Sequence, residues 1–149
     1  MSTENKPVNI VEIKRAGGVL KGNGFSIALH TDGLAGKIHI HDCYELELLV
    51  EGSVNIRLNG RQIEEKKGAF WLSLPNNLHH ITKASEDAQI VSIKFEDSFL
   101  SNKVYNMLGM YPNGIMGTLP ERELNICMDM IDRILDTYIS VNSELCKNV

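Results

Sequence analysis

Cysteine is scarce in this chain: three residues, Cys43, Cys127 and Cys146, widely spaced and odd in number. They make neither a disulfide framework nor a Cys-x-x-Cys metal knuckle, and a reducing, cytoplasmic setting is the expectation. Positive charge is also short, with 15 Lys and Arg against 19 Asp and Glu and a net charge of -4. Phosphate neutralisation supplies most non-specific nucleic-acid affinity, so a small domain with this balance is not expected to hold DNA by itself. No apolar run approaches the ~18 residues of a membrane span, and the opening residues, Met1 to Pro7, lack the apolar stretch of a secretory signal. Membrane insertion and secretion are not expected. With 4 prolines and 12 glycines, and with 43% of its 149 residues apolar, the chain is neither disordered nor collagen-like. A domain of this length buries roughly 68% of its unfolded surface, enough for a core without staples.

What is present up to residue 97 is a series of short alternating or apolar runs separated by Gly and Asn. They are Val8–Lys14, Gly24–His30, Lys37–His41, Tyr44–Val50, Val54–Leu58, Arg61–Glu64, Ala69–Leu74, His79–Thr82 and Gln89–Phe95. Regular short strands with turn signals between them predict an all-β sandwich or barrel. The clearest local signal is Val54, Ile56 and Leu58 at period two, followed by Asn59-Gly60. Asn-Gly favours a type I′ turn, whose two central residues both need positive φ, and so predicts a hairpin.

Beyond residue 97 the texture changes. Asp97-Ser98 offers an N-cap for a short helix to about Met107, and Gly109, Pro112, Gly114 and Gly117 break up a linker. Pro120 then opens a long helix over about 120–146, with Glu121 and Glu123 at its electropositive end. Leu124, Met128, Ile131, Leu135 and Tyr138 form an apolar stripe along it, and Ile126, Met130, Ile134 and Val141 widen the face. A face this broad is seldom left in water. The stripe Leu124, Met128, Ile131, Leu135 and Tyr138 is read as a subunit interface, the alternative being that the helix packs on its own barrel.

Of the five histidines, at 30, 39, 41, 79 and 80, four sit in two tight pairs. In a strand His39 and His41 point to one face, and Glu45 and Glu47 share their parity. Two imidazoles and a carboxylate form a set that suits a divalent transition metal with open positions. A further ligand from a neighbouring strand would be His79 or His80, only one of which can face inward; the register from Gly68 favours His79. Trp71 lies on the strand leading to His79, either as a core ring or as a wall against a ligand's apolar face. His30, before Thr31-Asp32-Gly33, is placed in an exposed turn, and Cys43 has no base at a spacing that would make it a nucleophile.

Gly33, His39, His41, Glu45 and Gly52 stand at the spacing of the first cupin motif, and the region from Gly68 to His79 resembles the second, with its proline, second glycine and final asparagine slots unmatched. The chain therefore resembles a cupin, a double-stranded β-helix or jelly-roll barrel, here with a C-terminal α-helical appendage. Within the cupins, His39-x-His41-Asp-Cys-Tyr44-Glu45-Leu, Val50-Glu51-Gly52, Leu58-Asn59-Gly60-Arg61, Gly68-Ala-Phe70 and Pro75-x-x-x-His79 resemble the N-terminal sensor domain of AraC-type transcription regulators. That resemblance implies a barrel over 1–97 and a helical segment over 98–149 whose long helix forms a homodimer. It also implies a small effector in the barrel, held by His39, His41, Glu45, Glu47, Trp71 and His79, with no catalysis and no cofactor. The DNA-binding part has no counterpart in these 149 residues and would lie beyond Val149. The competing reading is a metal-dependent cupin enzyme, of dioxygenase or isomerase type, with His39, His41, Glu45 and His79 around one divalent transition metal.

Overall fold

The hairpin at Asn59-Gly60 forms as the sequence requires, with φ of 46° and 82° at its two central residues. It joins β4 (Ser53–Leu58) to β5 (Arg61–Lys66) in register, Ile56 opposite Ile63. The computed structural model describes residues 19–22, 24–36, 38 and 40–147. The remaining described strands are β1 (Val19–Gly22), β2 (Phe25–His30), β3 (Tyr44–Glu51), β6 (Ala69–Ser73), β7 (His79–Ala84), β8 (Gln89–Phe95) and β9 (Ile115–Thr118). They form two antiparallel sheets in the orders β1-β2-β8-β3-β6-β9 and β5-β4-β7, packed face to face as a cupin jelly roll. Between them lies a core of Leu49, Val54, Ile56, Trp71, Ile81 and Ile90.

Glycine makes the corners where the chain changes sheet. Gly52 joins β3 to β4 at φ +78°, and a Cβ there would lie 2.5 Å from Ser85 Oγ and 2.6 Å from Ala88 Cα. Only a residue without a side chain fits so close an approach at that φ.

The helical segment is part of the same body. A 3₁₀ turn at Asp97–Phe99 leads to α1 (Asn102–Leu108), whose cap is Ser101, its hydroxyl accepting from the Val104 amide, rather than the expected Asp97-Ser98 pair. The presumed linker contains β9, which pairs with β6; Gly117 there lies against the Phe70 ring, where a Cβ would meet Cε1 at 2.7 Å. The long helix, α2 (Glu121–Lys147), starts where expected, with the Leu124 amide donating to the Pro120 carbonyl.

The interface expected on α2 needs correction. Ile131 and Leu135, with Met128 beside them, pack on Ile27, Val91 and Ile93, the outer face of the six-stranded sheet, and Leu124 is buried as well. Three apolar residues at this spacing find their own barrel first because that contact costs no association entropy. Tyr138's side chain lies outside what is described. Two further differences concern strands: β1 and β9 lie where no strand is predicted, and of the strand expected over Lys37–His41 the described residues, Ile38, Ile40 and His41, are irregular. The predicted Val8–Lys14 strand and His39 fall outside the described residues.

Candidate functional site

Alternation on β3 sends Glu45, Glu47 and Leu49 into the barrel, while Leu46 and Leu48 join the outer face. Glu45 is 4% exposed, and both of its oxygens are engaged. Oε1 accepts from Ser92 Oγ at 2.7 Å and lies 3.7 Å from Lys94 Nζ. Oε2 is 2.8 Å from His79 Nε2 and 3.0 Å from His41 Nε2. His79 Nδ1 faces the Asn77 carbonyl at 3.2 Å. Both ring nitrogens of His79 thus meet acceptors, an arrangement that favours the protonated ring.

The titrations follow. Burial works to raise the Glu45 pKa, but hydrogen bonds from His79 and Ser92, with the charges of Lys94 and His41, outweigh it and hold the carboxyl at about 2. Burial works to lower that of His79, and the Glu45 and Asn77 contacts reverse it, leaving the ring raised above its ordinary value. Glu47 goes the other way: burial first, then the Glu45 charge, push it up to about 7, against the hydrogen bond that Trp71 Nε1 donates to its Oε2. Burial also raises the Cys43 thiol, so it is no activated nucleophile.

Over this network opens a cavity of about 190 Å³, lined among others by His30, His41, Glu45, Glu47, His79 and Lys94. Of the sequence-derived candidates, His41, Glu45, Glu47 and His79 converge on it. Trp71 does not line it: the ring is 0% exposed within the core and reaches the site only through Glu47. His30 is the terminal residue of β2 rather than part of a turn, and it borders the cavity, its pKa lowered chiefly by burial. His80 also borders the cavity, from the flank of β7, although His79 is the residue that faces Glu45. His41, Glu45 and His79 bring three ligand atoms within 4.8 Å of one another, a donor set that fits a divalent transition metal.

Sequence reasoning missed Ser92, Lys94 and Asn77. The first two alternate with Val91, Ile93 and Phe95 on β8, so pattern alone assigns the polar pair to solvent. A signal for Asn77 is its position two residues before the histidine. It fixes the turn, its Oδ1 accepting from the Leu74 amide at 2.9 Å and its Nδ2 donating to the Pro112 carbonyl at 3.0 Å.

No helix among the described residues is long and apolar enough to cross a membrane. A comparison with curated proteins finds no match. Among solved structures, a cupin protein from Bacteroides fragilis is similar at 20% identity over 53% of this chain and 71% of that one, with a TM-score of 0.45. KdgF from Halomonas sp. shares 15% identity over 56% of this chain and 86% of its own, TM-score 0.47. An RmlC-like cupin family protein from Methanocaldococcus jannaschii, with a double-stranded β-helix fold, shares 15% over 52% and 74%, TM-score 0.45. The family described as the AraC-like ligand binding domain matches residues 25–137, which span the barrel from β2 through β9 and most of α2. The matched residues cover more than half of the sequence, and the chain belongs to the AraC-like ligand binding domain family.

Proposed function

We propose that the chain is the sensing half of an AraC-type transcription regulator: a small effector enters the barrel cavity and contacts Glu45, Glu47, His41 and His79 without catalysis. The observation that carries this reading is the state of Glu45. Its carboxylate is saturated by Ser92, His79, His41 and the Lys94 ammonium, and a fixed positive charge 3.7 Å away opposes a divalent cation at the same oxygens. An effector with hydroxyl or amine donors can exchange into such a network at little cost. Its arrival would be transmitted by linkage. His79 rests on Asn77, and Asn77 and Asn59 donate to the Pro112 and Asn113 carbonyls, on the segment that leads through β9 to α2.

The second reading, a metal-dependent cupin enzyme, keeps support from the three ligand atoms within 4.8 Å and from the Asn77 carbonyl at His79 Nδ1, the way metal-ligating imidazoles are commonly held. A divalent metal on His41, Glu45 and His79 would supply Lewis-acid or redox chemistry to a small substrate. Metal analysis of tag-free protein dialysed against iron, manganese, nickel and zinc salts separates the two. The sensor reading expects less than stoichiometric metal; one equivalent, lost on His41→Ala, overturns it. Effector binding itself is read from Trp71, the sole tryptophan, whose indole N–H is held by a carboxylate that borders the cavity. A ligand that binds Glu47 is expected to shift the Trp71 emission saturably, and Glu47→Gln to abolish that shift.

Dimerisation, in this reading, uses the face of α2 turned away from the barrel, where Ile126, Met130 and Ile134 are exposed, Met130 at 59%. Met130→Asp is expected to give folded monomers by sedimentation. Ile131→Asp, which puts a charge at a position 5% exposed against Ile27 and Val91, is expected to cost about 3–5 kcal/mol of stability. A wild-type chain that sediments as a monomer at high concentration would refute the dimer.

A further inference from the structure

Outside the barrel, at the end of the six-stranded sheet, lies a larger cavity of about 600 Å³ that the effector reading leaves unused. Phe25, Phe95 and Tyr44 stand in register on three adjacent strands and form its floor. The Tyr44 and Phe95 rings stack at 5.3 Å with planes 8° apart, and Phe25 meets Phe99 edge-on at 5.6 Å. Tyr105 of α1 also lines the cavity. Tyr44 is 6% exposed as a residue, and its hydroxyl end lies near the charge of Asp97 and the hydroxyl of Tyr105.

The charge in this cavity is one-sided. Asp42, Glu96 and Asp97 line it, and none has an ion-pair partner among the described residues. The lining cation, Lys94, is turned to Glu45 in the barrel. Gly24 makes room for one of these carboxylates, since a Cβ there would lie 3.0 Å from Glu96 Oε2. An anionic ligand would meet three carboxylates against one ammonium that already faces Glu45. An inorganic cation would need ligand atoms gathered at one point, and among the described residues only His41, Glu45 and His79 are so gathered. The volume falls within the range of small-molecule sites, and aromatic walls with carboxylates at the rim are the surroundings that an ammonium on a flat apolar body finds favourable.

We propose that this outer cavity is a second binding site, for a protonated amine carried on an aromatic or alkyl body, with the Tyr44 hydroxyl and the Asp97 and Glu96 carboxylates receiving the ammonium. The site adjoins the 3₁₀ turn that connects β8 to α1, so its occupant would bear directly on the helical segment. It stands on different residues from the barrel site and does not depend on the reading of that site.

Cys43 lines the cavity and reports on it, while Cys127 on α2 serves as an internal reference. Alkylation by iodoacetamide at mildly alkaline pH, resolved by peptide, is followed in phenethylamine, in phenylacetate and in magnesium chloride. Saturable protection of Cys43 by phenethylamine alone, with Cys127 and the Trp71 emission unchanged, is the expected result. Tyr44→Phe, which keeps the stacked ring, and the pair Glu96→Gln with Asp97→Asn should each raise the half-protecting concentration, the pair by roughly tenfold. Should the double variant fail to fold, the contrast between amine and acid on the wild-type chain still decides. No protection, equal protection by phenylacetate, or protection by magnesium overturns the proposal. A shift of Trp71 emission without Cys43 protection would place the amine in the barrel, which overturns this site and leaves the barrel reading standing.

Discussion

Glu45→Ala is expected to be among the most damaging single substitutions in the chain. The carboxylate is the hub of the barrel network, and its removal strips the acceptor from Ser92 Oγ and His79 Nε2 and the counter-charge from Lys94 and the His79 imidazolium. Breaking a buried pair from one side leaves an uncompensated charge and costs about 3–5 kcal/mol, a large share of the ~5–15 kcal/mol that holds a domain folded. Glu45→Gln keeps an acceptor for Ser92 and should cost about half as much. Replacing both partners, Glu45→Leu with His79→Leu, should cost less than the sum of the single changes, because neither member of the buried pair is left without the other and the Lys94 ammonium, whose side chain is 37% exposed, reaches water. Urea unfolding of these variants, of the single Glu45→Leu and His79→Leu chains and of the wild-type chain measures this. A Glu45→Ala midpoint close to that of the wild-type chain would mean that the contacts around Glu45 carry little energy.

Gly52→Ala should be similarly severe for a different reason. The residue holds φ at +78°, which costs an alanine about 1–2 kcal/mol. Its Cβ would also lie 2.6 Å from Ala88 Cα and 2.7 Å from Ala88 N, backbone atoms that cannot turn aside as a side chain can. Together these effects predict a loss of at least ~3 kcal/mol. Gly33 is the control: its φ is +62°, and a Cβ there meets nothing within 4 Å, so Gly33→Ala should cost only the ~1 kcal/mol of the backbone term. Thermal unfolding midpoints distinguish the two, and equal losses would mean that the corner at Gly52 is not closely packed. Both glycines occupy slots of the same motif, but for Gly52 the slot is enforced by packing and for Gly33 by conformation alone.

Much of this was legible in the residues. Period-two runs placed β2 through β8 within a few residues, Asn59-Gly60 marked the hairpin, and Pro120 with its flanking glutamates marked the start of α2. The spacing of His41, Glu45 and His79 was enough to bring them to one cavity even though His41 does not lie on a strand. β9 was hidden because Ile115–Thr118 is short and bordered by glycines, and its pairing depends on a β6 edge some forty-five residues away. Whether Trp71 is a core ring or a wall of the site was left open because sequence gives parity without depth: the ring shares a face with the site, and the structure places it in the core, behind Glu47.

The sequence by itself determined which residues share a face, since strand alternation and helical periodicity are local properties of the backbone. It could not determine what covers each face. On β3 and β8 the polar residues Glu45, Glu47, Ser92 and Lys94 turn inward beside Leu49 and Ile90, while Leu46, Leu48, Val91 and Ile93 turn outward, the reverse of a sheet with one wet side. That arrangement holds because α2 lays Ile131 and Leu135 over the outer face, leaving the barrel interior to a hydrogen-bonded polar network. The same contact decided that the long helix spends its main apolar stripe on its own sheet. Each decision rests on a contact between segments distant in the chain, and only the tertiary structure records those.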